Sequence, residues 1–280
     1  MKIISYKHGG KATYGAVVGD GVVDLGGRLK YADLRSLLEA GALPEATKVA
    51  DGAAPDAKLS EIEYLPLIGN PGKIICVGLN YKAHREETGR KPTDQPALFV
   101  RFAESQTAHN GPLVRPKASE MLDYEGELAV IIGKTGRHVK KADALSIIAG
   151  YSCYNDGSVR DWQNHTLQWT AGKNFMQTGA FGPWMVTTDE IPDPTALELT
   201  TRLNGAVIQN STTDLLIFDI PTLIEYITTF TVLEPGDVIS TGTPGGVGFK
   251  RDPQVFMKPG DKVEIEITKI GILANDIVSE

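Results

Sequence analysis

The spacing of the apolar runs constrains this chain most. KIICVGL (73–79), ALFVRF (97–102), ELAVIIG (127–133), IIAGYSCYN (147–155), PWMVTTD (183–189), LELTTRLNG (197–205), DVISTG (237–242) and KVEIEITKIG (262–271) are all of strand length, with turn signals between them. Helical periodicity is sparse. It predicts a short helix over 31–41, with Leu34, Leu37 and Leu38 on one face. A second helix starts near His84, and a third runs from Ile220 to about Thr229, with Asp219 as its N-cap and Pro221 in its first turn. Strands without a regular β-α-β rhythm favour an α+β, mainly β fold with helices outside over a doubly wound parallel sheet.

The N-terminal part differs from the rest. KIISY and AVVGDGVVDL alternate in hydropathy around the hairpin signal Gly19-Asp20-Gly21, and so predict short strands over 1–26. Residues 42–60, rich in Ala, Pro and Asp, read as a connector. The turn cluster Gly69-Asn70-Pro71-Gly72 marks a boundary. The expected division is a small β-rich domain over 1–69 and a main domain over 70–280. EPGDVIS and KPGDKVE enter two strands through the same turn chemistry and do not mark an internal repeat.

The chain has 280 residues, 41 % of them hydrophobic and 22 % charged, enough for a sizeable core. Its formal net charge of -7 argues against nucleic acid as a partner, since basic patches supply most of that affinity. Cys76 and Cys153 lie inside apolar runs and read as buried, reduced thiols. No apolar run approaches a membrane span, and MKIISYKHGG lacks the apolar core of a signal peptide. The expected location is cytoplasmic, with no membrane partner.

The segment DYEGELAVIIG (123–133) carries the chemistry. In a strand, residues i and i+2 share a face, so Glu125 and Glu127 stand side by side and repel unless something neutralises them. Gly126 between them leaves the opposite face open for close packing. The next long apolar strand ends in Asn155-Asp156. Three carboxylates meeting at strand ends would make an all-oxygen site for a hard cation, Mg²⁺ or Mn²⁺ with Ca²⁺ as a substitute, and not for zinc. A solvated strand edge explains an E-x-E pair equally well, as at Glu264 and Glu266. By spacing alone both readings stand.

These residues belong to a set of ordered blocks: CVGLNYKAHREE (76–87), DYEGELAVIIG (123–133), YNDGSVRDWQ (154–163), GKNFMQTGAFGPW (172–184), LNGAVIQ (203–209) and STGTPGGVG (240–248). Over roughly 70–275 the chain resembles the fumarylacetoacetate hydrolase family. The resemblance implies a mixed β-roll catalytic domain, usually dimeric, and a small N-terminal β domain as in some bacterial members. It assigns Glu125, Glu127 and Asp156 as ligands of Mg²⁺ or Mn²⁺. Gly157 and Val159 stand where many members have Val and Ala, a change expected to reshape the pocket wall.

On a helix, His84 and Glu87 would be neighbours, but H-x-x-E alone is usually an exposed histidine beside a charge. The resemblance makes the pair a general base on a mobile lid helix after Asn80-Tyr81, with the charged stretch 85–96 completing the lid. It also makes Lys173 a pocket lysine facing substrate oxygens. Gln163, Arg160, Thr243 and Tyr81 become candidate substrate contacts, Arg160 having a structural ion pair as its alternative. Trp162 and Trp169 are candidates for an apolar wall or for core. The cluster Gly242–Gly248 lacks the spacing of a phosphate loop. His8, His109, His138 and His165 have no partners at useful spacing.

The resemblance implies a metal-dependent hydrolase that cleaves a carbon–carbon bond in a 2,4-diketo acid: an acylpyruvate, a fumarylpyruvate or a diketo-deoxy sugar acid. Pyruvate or a relative is released. Decarboxylation of oxaloacetate, or isomerisation or decarboxylation of hydroxymuconate-type diacids, is the alternative in the same pocket. An inactive keto-acid-binding protein is the alternative of another class.

Overall fold

In the computed structural model, which describes all 280 residues, the long apolar runs pair into one large mixed sheet. Its centre is Gly126–Ile132, every residue of which is buried, flanked by Ile148–Asn155 and Val238–Ser240. Central strands buried on both faces read as continuous hydrophobic runs, which is why ELAVIIG does not alternate. Beyond Val238–Ser240 come Ile74–Gly78, in parallel, and Ala97–Arg101 at the edge. Beyond Ile148–Asn155 comes Gly179–Thr187, and then the N-terminal strands Lys2–His8, Lys11–Val18 and Gly21–Asp24.

A second sheet of five strands lies in the order Ala206–Thr212, Glu198–Leu203, Lys262–Ile267, Gly271–Ser279 and Leu113–Arg115. In Lys262–Ile267, Val263, Ile265 and Ile267 are buried. They join Leu128, Val130 and Cys153 of the large sheet in one core. Each such aliphatic side chain contributes about 1.5–3 kcal/mol on burial. Between them, Glu264 and Glu266 are half-buried and paired with Lys262 and Arg202.

Both EPGD and KPGD turns close in the same way. The Asp237 and Asp261 carboxylates accept from the backbone N–H of Glu234 and Lys258, each at 2.9 Å. The helix Ile220–Phe230 starts where Asp219 accepts from the Thr222 N–H at 2.9 Å. The expected connector 42–60 is corrected in part. It contains a helix, Leu43–Ala50, with Pro44 in its first turn and Ala46 buried. Its single buried position gives too weak a periodicity to read from sequence.

The N-terminal segment packs onto the large sheet. Ile3 pairs with Met185, and Leu34, Leu37 and Leu38 share a core with Ile74, Cys76, Ala129 and Phe181. No helix is long and apolar enough to cross a membrane.

Candidate active site

The strand-end carboxylates converge. Gly126 pairs with Asn155, and the Asp156 N–H donates to the Glu125 carbonyl at 2.9 Å, so the two strands deliver their ends to one point. Oxygens of Glu125, Glu127 and Asp156 lie within 4.8 Å of one another, and all three residues are buried. Gly126 is needed on the far side. A Cβ there would stand 2.1 Å from Thr201 Oγ1 and meet Ile265, so the second sheet packs directly against this backbone.

Each carboxylate is held by residues distant in sequence. Glu127 Oε2 accepts from Ser240 Oγ at 2.5 Å and from the Gly242 N–H at 2.9 Å. Asp156 Oδ1 accepts from Arg101 Nη1 at 2.7 Å. Arg101 also donates to the Gly157 carbonyl and to Thr178 Oγ1. Lys173 Nζ donates to Asp156 Oδ2 at 2.6 Å and to Glu125 Oε2 at 2.7 Å. Arg160 Nη2 lies 2.7 Å from Glu125 Oε1, and its Nε donates to Asp123 Oδ2 at 2.8 Å. Asp123 in turn accepts from the Gly248 and Phe249 N–H groups, at 2.8 and 2.9 Å.

The charges decide what fits here. Burial opposes ionisation of Glu125, but Lys173 and Arg160 outweigh it and hold that carboxyl well below its usual range. Glu127 has no such cation. Burial, then Asp156 and Glu125, push it well above the usual range. Fully ionised, the four buried carboxylates, Asp123 included, would face the three cations Arg101, Arg160 and Lys173 with one negative charge in excess, and that excess falls on Glu127. Unpaired buried charge is costly, so a cation is the natural complement. The donor set is all oxygen and hard, which fits Mg²⁺ or Mn²⁺. A divalent ion would turn the excess to one positive charge and suit an anionic substrate.

Above this floor, helix Lys82–Thr88 carries His84, which is buried. His84 Nδ1 lies 2.7 Å from Glu87 Oε1. An ionised carboxylate only accepts, so Nδ1 carries a proton, and in the neutral ring Nε2 is the atom with the lone pair. Glu87 Oε2 is itself held by the Gly246 N–H at 2.8 Å. The glycine cluster therefore docks the helix rather than a phosphate. Gly246 has φ 103, and a Cβ on Gly245 would stand 3.1 Å from Ala83 Cβ.

One cleft joins these parts. Its lining includes Glu125, Glu127, Asp156, His84, Lys173, Arg160, Gln163 and Thr243. Glu87 stands behind His84. Tyr81 does not line the cleft; its ring is buried and its hydroxyl has no partner. Thr243 Oγ1 donates to the Gly126 carbonyl at 3.0 Å. Gln163 Oε1 accepts from Arg160 Nη1 at 2.9 Å. Both anticipated Arg160 features coexist, since it lines the cleft while paired to Asp123. Trp169 lines the cleft, whereas Trp162 packs against the core. Gly157 and Val159 do not line the cleft, and a Cβ on Gly157 would stand 1.9 Å from the Thr178 carbonyl oxygen.

Sequence reasoning missed Asp123, Arg101, Ser240, Arg90 and Lys250. Asp123 had a signal, since it opens the DYEGE block. The others are brought in by pairings more than fifty residues apart or by loop placement, and carry no local mark.

Fold and site define a carboxylate-floored cleft with a hydrogen-bonded His84–Glu87 pair on the helix above it. Residues 73–278 match the family model described as fumarylacetoacetate (FAA) hydrolase C-terminal, and the chain belongs to that family. It is 38 % identical over 266 residues, 93 % of this chain and 85 % of the relative, to oxaloacetate tautomerase Fahd2a, mitochondrial, of Rattus norvegicus. The fumarylacetoacetate hydrolase of Exiguobacterium antarcticum superposes with a TM-score of 0.86 at 32 % identity, covering 100 % of both chains. Maleylpyruvate hydrolase from Sphingobium sp. SYK-6, solved with manganese(II) and pyruvate, gives 0.84 at 28 % identity, covering 100 % of this chain and 99 % of that one. The family's members are thus enzymes that include hydrolases and tautomerases.

Proposed function

We propose that this chain is a divalent-metal-dependent hydrolase of 2,4-diketo acids, acylpyruvates or fumarylpyruvates, which releases pyruvate or a pyruvate-like product. The observation that supports this reading is the His84–Glu87 pair, whose histidine lines the same cleft as the three carboxylates. Glu125, Glu127 and Asp156 would hold Mg²⁺ or Mn²⁺, and the bound ion would supply Lewis acidity that stabilises an enolate. His84 Nε2, with Glu87 fixing the tautomer, takes a proton from water so that the oxygen can attack the distal carbonyl. Lys173 neutralises charge developing on the substrate oxygens. Arg160, Gln163 and Thr243 orient the 2-oxo acid end. Residues 1–69 serve as a small β-rich appendage to the catalytic part over 70–280. A cytoplasmic homodimer completes the proposal.

A second reading, keto–enol tautomerisation of oxaloacetate, is favoured by the rat relative's name and its higher identity. It needs His84 to move a proton at C3 but no attacking water. Acylpyruvate turnover in ¹⁸O water separates the two. Hydrolysis puts one labelled oxygen into the released acid. Tautomerisation of oxaloacetate, followed by enol absorbance, puts none into either carboxylate. With Mg²⁺ present, His84→Ala should lower kcat by roughly 10²–10⁴-fold in either case. Full activity in that variant would remove His84 from the mechanism. Tight Mg²⁺-dependent oxalate binding without turnover of any 2-oxo acid would favour a keto-acid-binding protein instead.

A further inference from the structure

The carboxylate floor leaves the charge of the cleft's other lining residues unexplained. Arg90 and Lys250 both line the cleft, and both are exposed. Neither forms an ion pair within the chain, although the chain carries a net charge of -7. Arg90 lies one residue beyond Gly89, whose φ of 69 ends the His84 helix. Its guanidinium carbon is 5.9 Å from the centroid of the Trp169 ring. Lys250 Nζ lies 5.2 Å from the centroid of the Phe249 ring. Trp169 meets Phe99 edge-on at 5.5 Å, and Gly78 makes room for it, since a Cβ there would stand 2.3 Å from the indole. Phe99, Trp169 and Phe249 all line the cleft, and each cation rests against one of these rings. An aromatic face steadies a cation without neutralising it, so the charge remains free to meet an anion.

We propose that Arg90 and Lys250 form a second anion subsite, which takes a carboxylate at the far end of the substrate. The enzyme then prefers 2-oxo acids with an acidic tail to those with alkyl or neutral aromatic tails. This rests on the proposed function in one respect, that the carboxylate floor takes the 2-oxo acid end. A doubly anionic substrate would meet the floor's cations at one end and this pair at the other, with the aromatic rings along its middle.

The test is calorimetric titration of the Mg²⁺-loaded protein with matched ligands: 2-oxoglutarate against 2-oxopentanoate, and 2-oxoadipate against 2-oxohexanoate. Oxalate, titrated into the wild type, reads the floor alone. At one length or both, the diacid should bind about tenfold more tightly than its monoacid, and the ratio should shrink as salt is raised. In Arg90→Gln/Lys250→Gln, checked for folding by its melting temperature, the ratio should fall to within about twofold. Equal affinities for diacid and monoacid at both lengths in the wild type would overturn the subsite, as would a ratio that survives the double substitution. Oxalate that fails to bind would overturn the reading of the floor, and the subsite with it.

Discussion

Replacing Glu127 by glutamine should have opposite consequences with and without a divalent cation. The side chain is buried, and Oε2 takes hydrogen bonds from Ser240 Oγ and the Gly242 N–H. An amide oxygen can accept both, and the volume hardly changes, so packing is preserved. What the substitution removes is charge. The three carboxylates offer oxygens within 4.8 Å of one another, and Lys173 bridges Glu125 and Asp156 but not Glu127. At an effective dielectric of 20, two unit charges at that distance repel by roughly 3 kcal/mol; burial and this repulsion push the Glu127 carboxyl up, so only part of that figure is relieved. In EDTA, Glu127→Gln should therefore be at least as stable as the wild type and melt up to several degrees higher.

Saturating Mg²⁺ reverses the order. A ligand at one hundred times its Kd stabilises the folded state by about 2.7 kcal/mol. For a chain of this size that raises Tm by roughly 4–5 °C. The wild type should show this gain, and the variant should lose most of it together with activity. Paired calorimetric melts in EDTA and in Mg²⁺ measure both effects. A loss of more than about 2 kcal/mol in EDTA would refute the charge argument and make Glu127 a structural acceptor. An undiminished Mg²⁺ shift would refute its role as a ligand.

Other substitutions probe separate links. Gly157→Ala places a Cβ 1.9 Å from the Thr178 carbonyl oxygen; it should cost about 1–3 kcal/mol and weaken Mg²⁺ binding by displacing Asp156, as read by Tm and a metal titration. Asp219→Ala removes a helix cap far from the cleft and should cost about 0.5–2 kcal/mol with kcat unchanged. His109 is pushed down to about 4, by burial and then by Lys262, and its Nδ1 accepts from the Ala274 N–H at 3.1 Å. The folded state thus disfavours the proton that the unfolded chain binds near pH 6.5. The contribution of His109 is complete above that pH and is lost as pH falls toward 4, by up to about 3 kcal/mol. His109→Asn, which keeps an acceptor in place, should lose less stability than the wild type over that window in denaturant titrations.

What could be read from the sequence follows the range of the interactions. Glu125, Gly126 and Glu127 announce themselves because strand periodicity is local, and Asp156 because it ends the neighbouring strand. Gly126 pairs with Asn155, so the ends of the two strands meet. His84 and Glu87 need only one helical turn. Ser240 and Gly242 reach Glu127 because Val238–Ser240 sits beside Gly126–Ile132, a neighbour more than a hundred residues away. Arg101 reaches Asp156 from an edge strand, again without a local mark. Tyr81 shows the reverse case. It occupies the right motif, yet its ring turns into the protein. Motif membership places a backbone position and leaves the side-chain direction to packing.

The same difference in range separates the two ends of the cleft. At the floor, each carboxylate is held by main-chain N–H groups, by Ser240 Oγ or by buried cations on strands and short helices, so its geometry has little freedom. Around Arg90 and Lys250 the contacts are ring faces, and the side chains are exposed. Substitution there costs little stability, because no buried partner is left unpaired. A floor that stabilises an enolate serves hydrolysis and tautomerisation alike. The choice between them depends on whether His84 Nε2 meets a water beside the distal carbonyl or the C3 proton. That depends on how far along the cleft the substrate's tail is anchored. Reaction type and tail recognition are therefore coupled through the helix Lys82–Thr88, which carries His84 inside and is followed within two residues by Arg90.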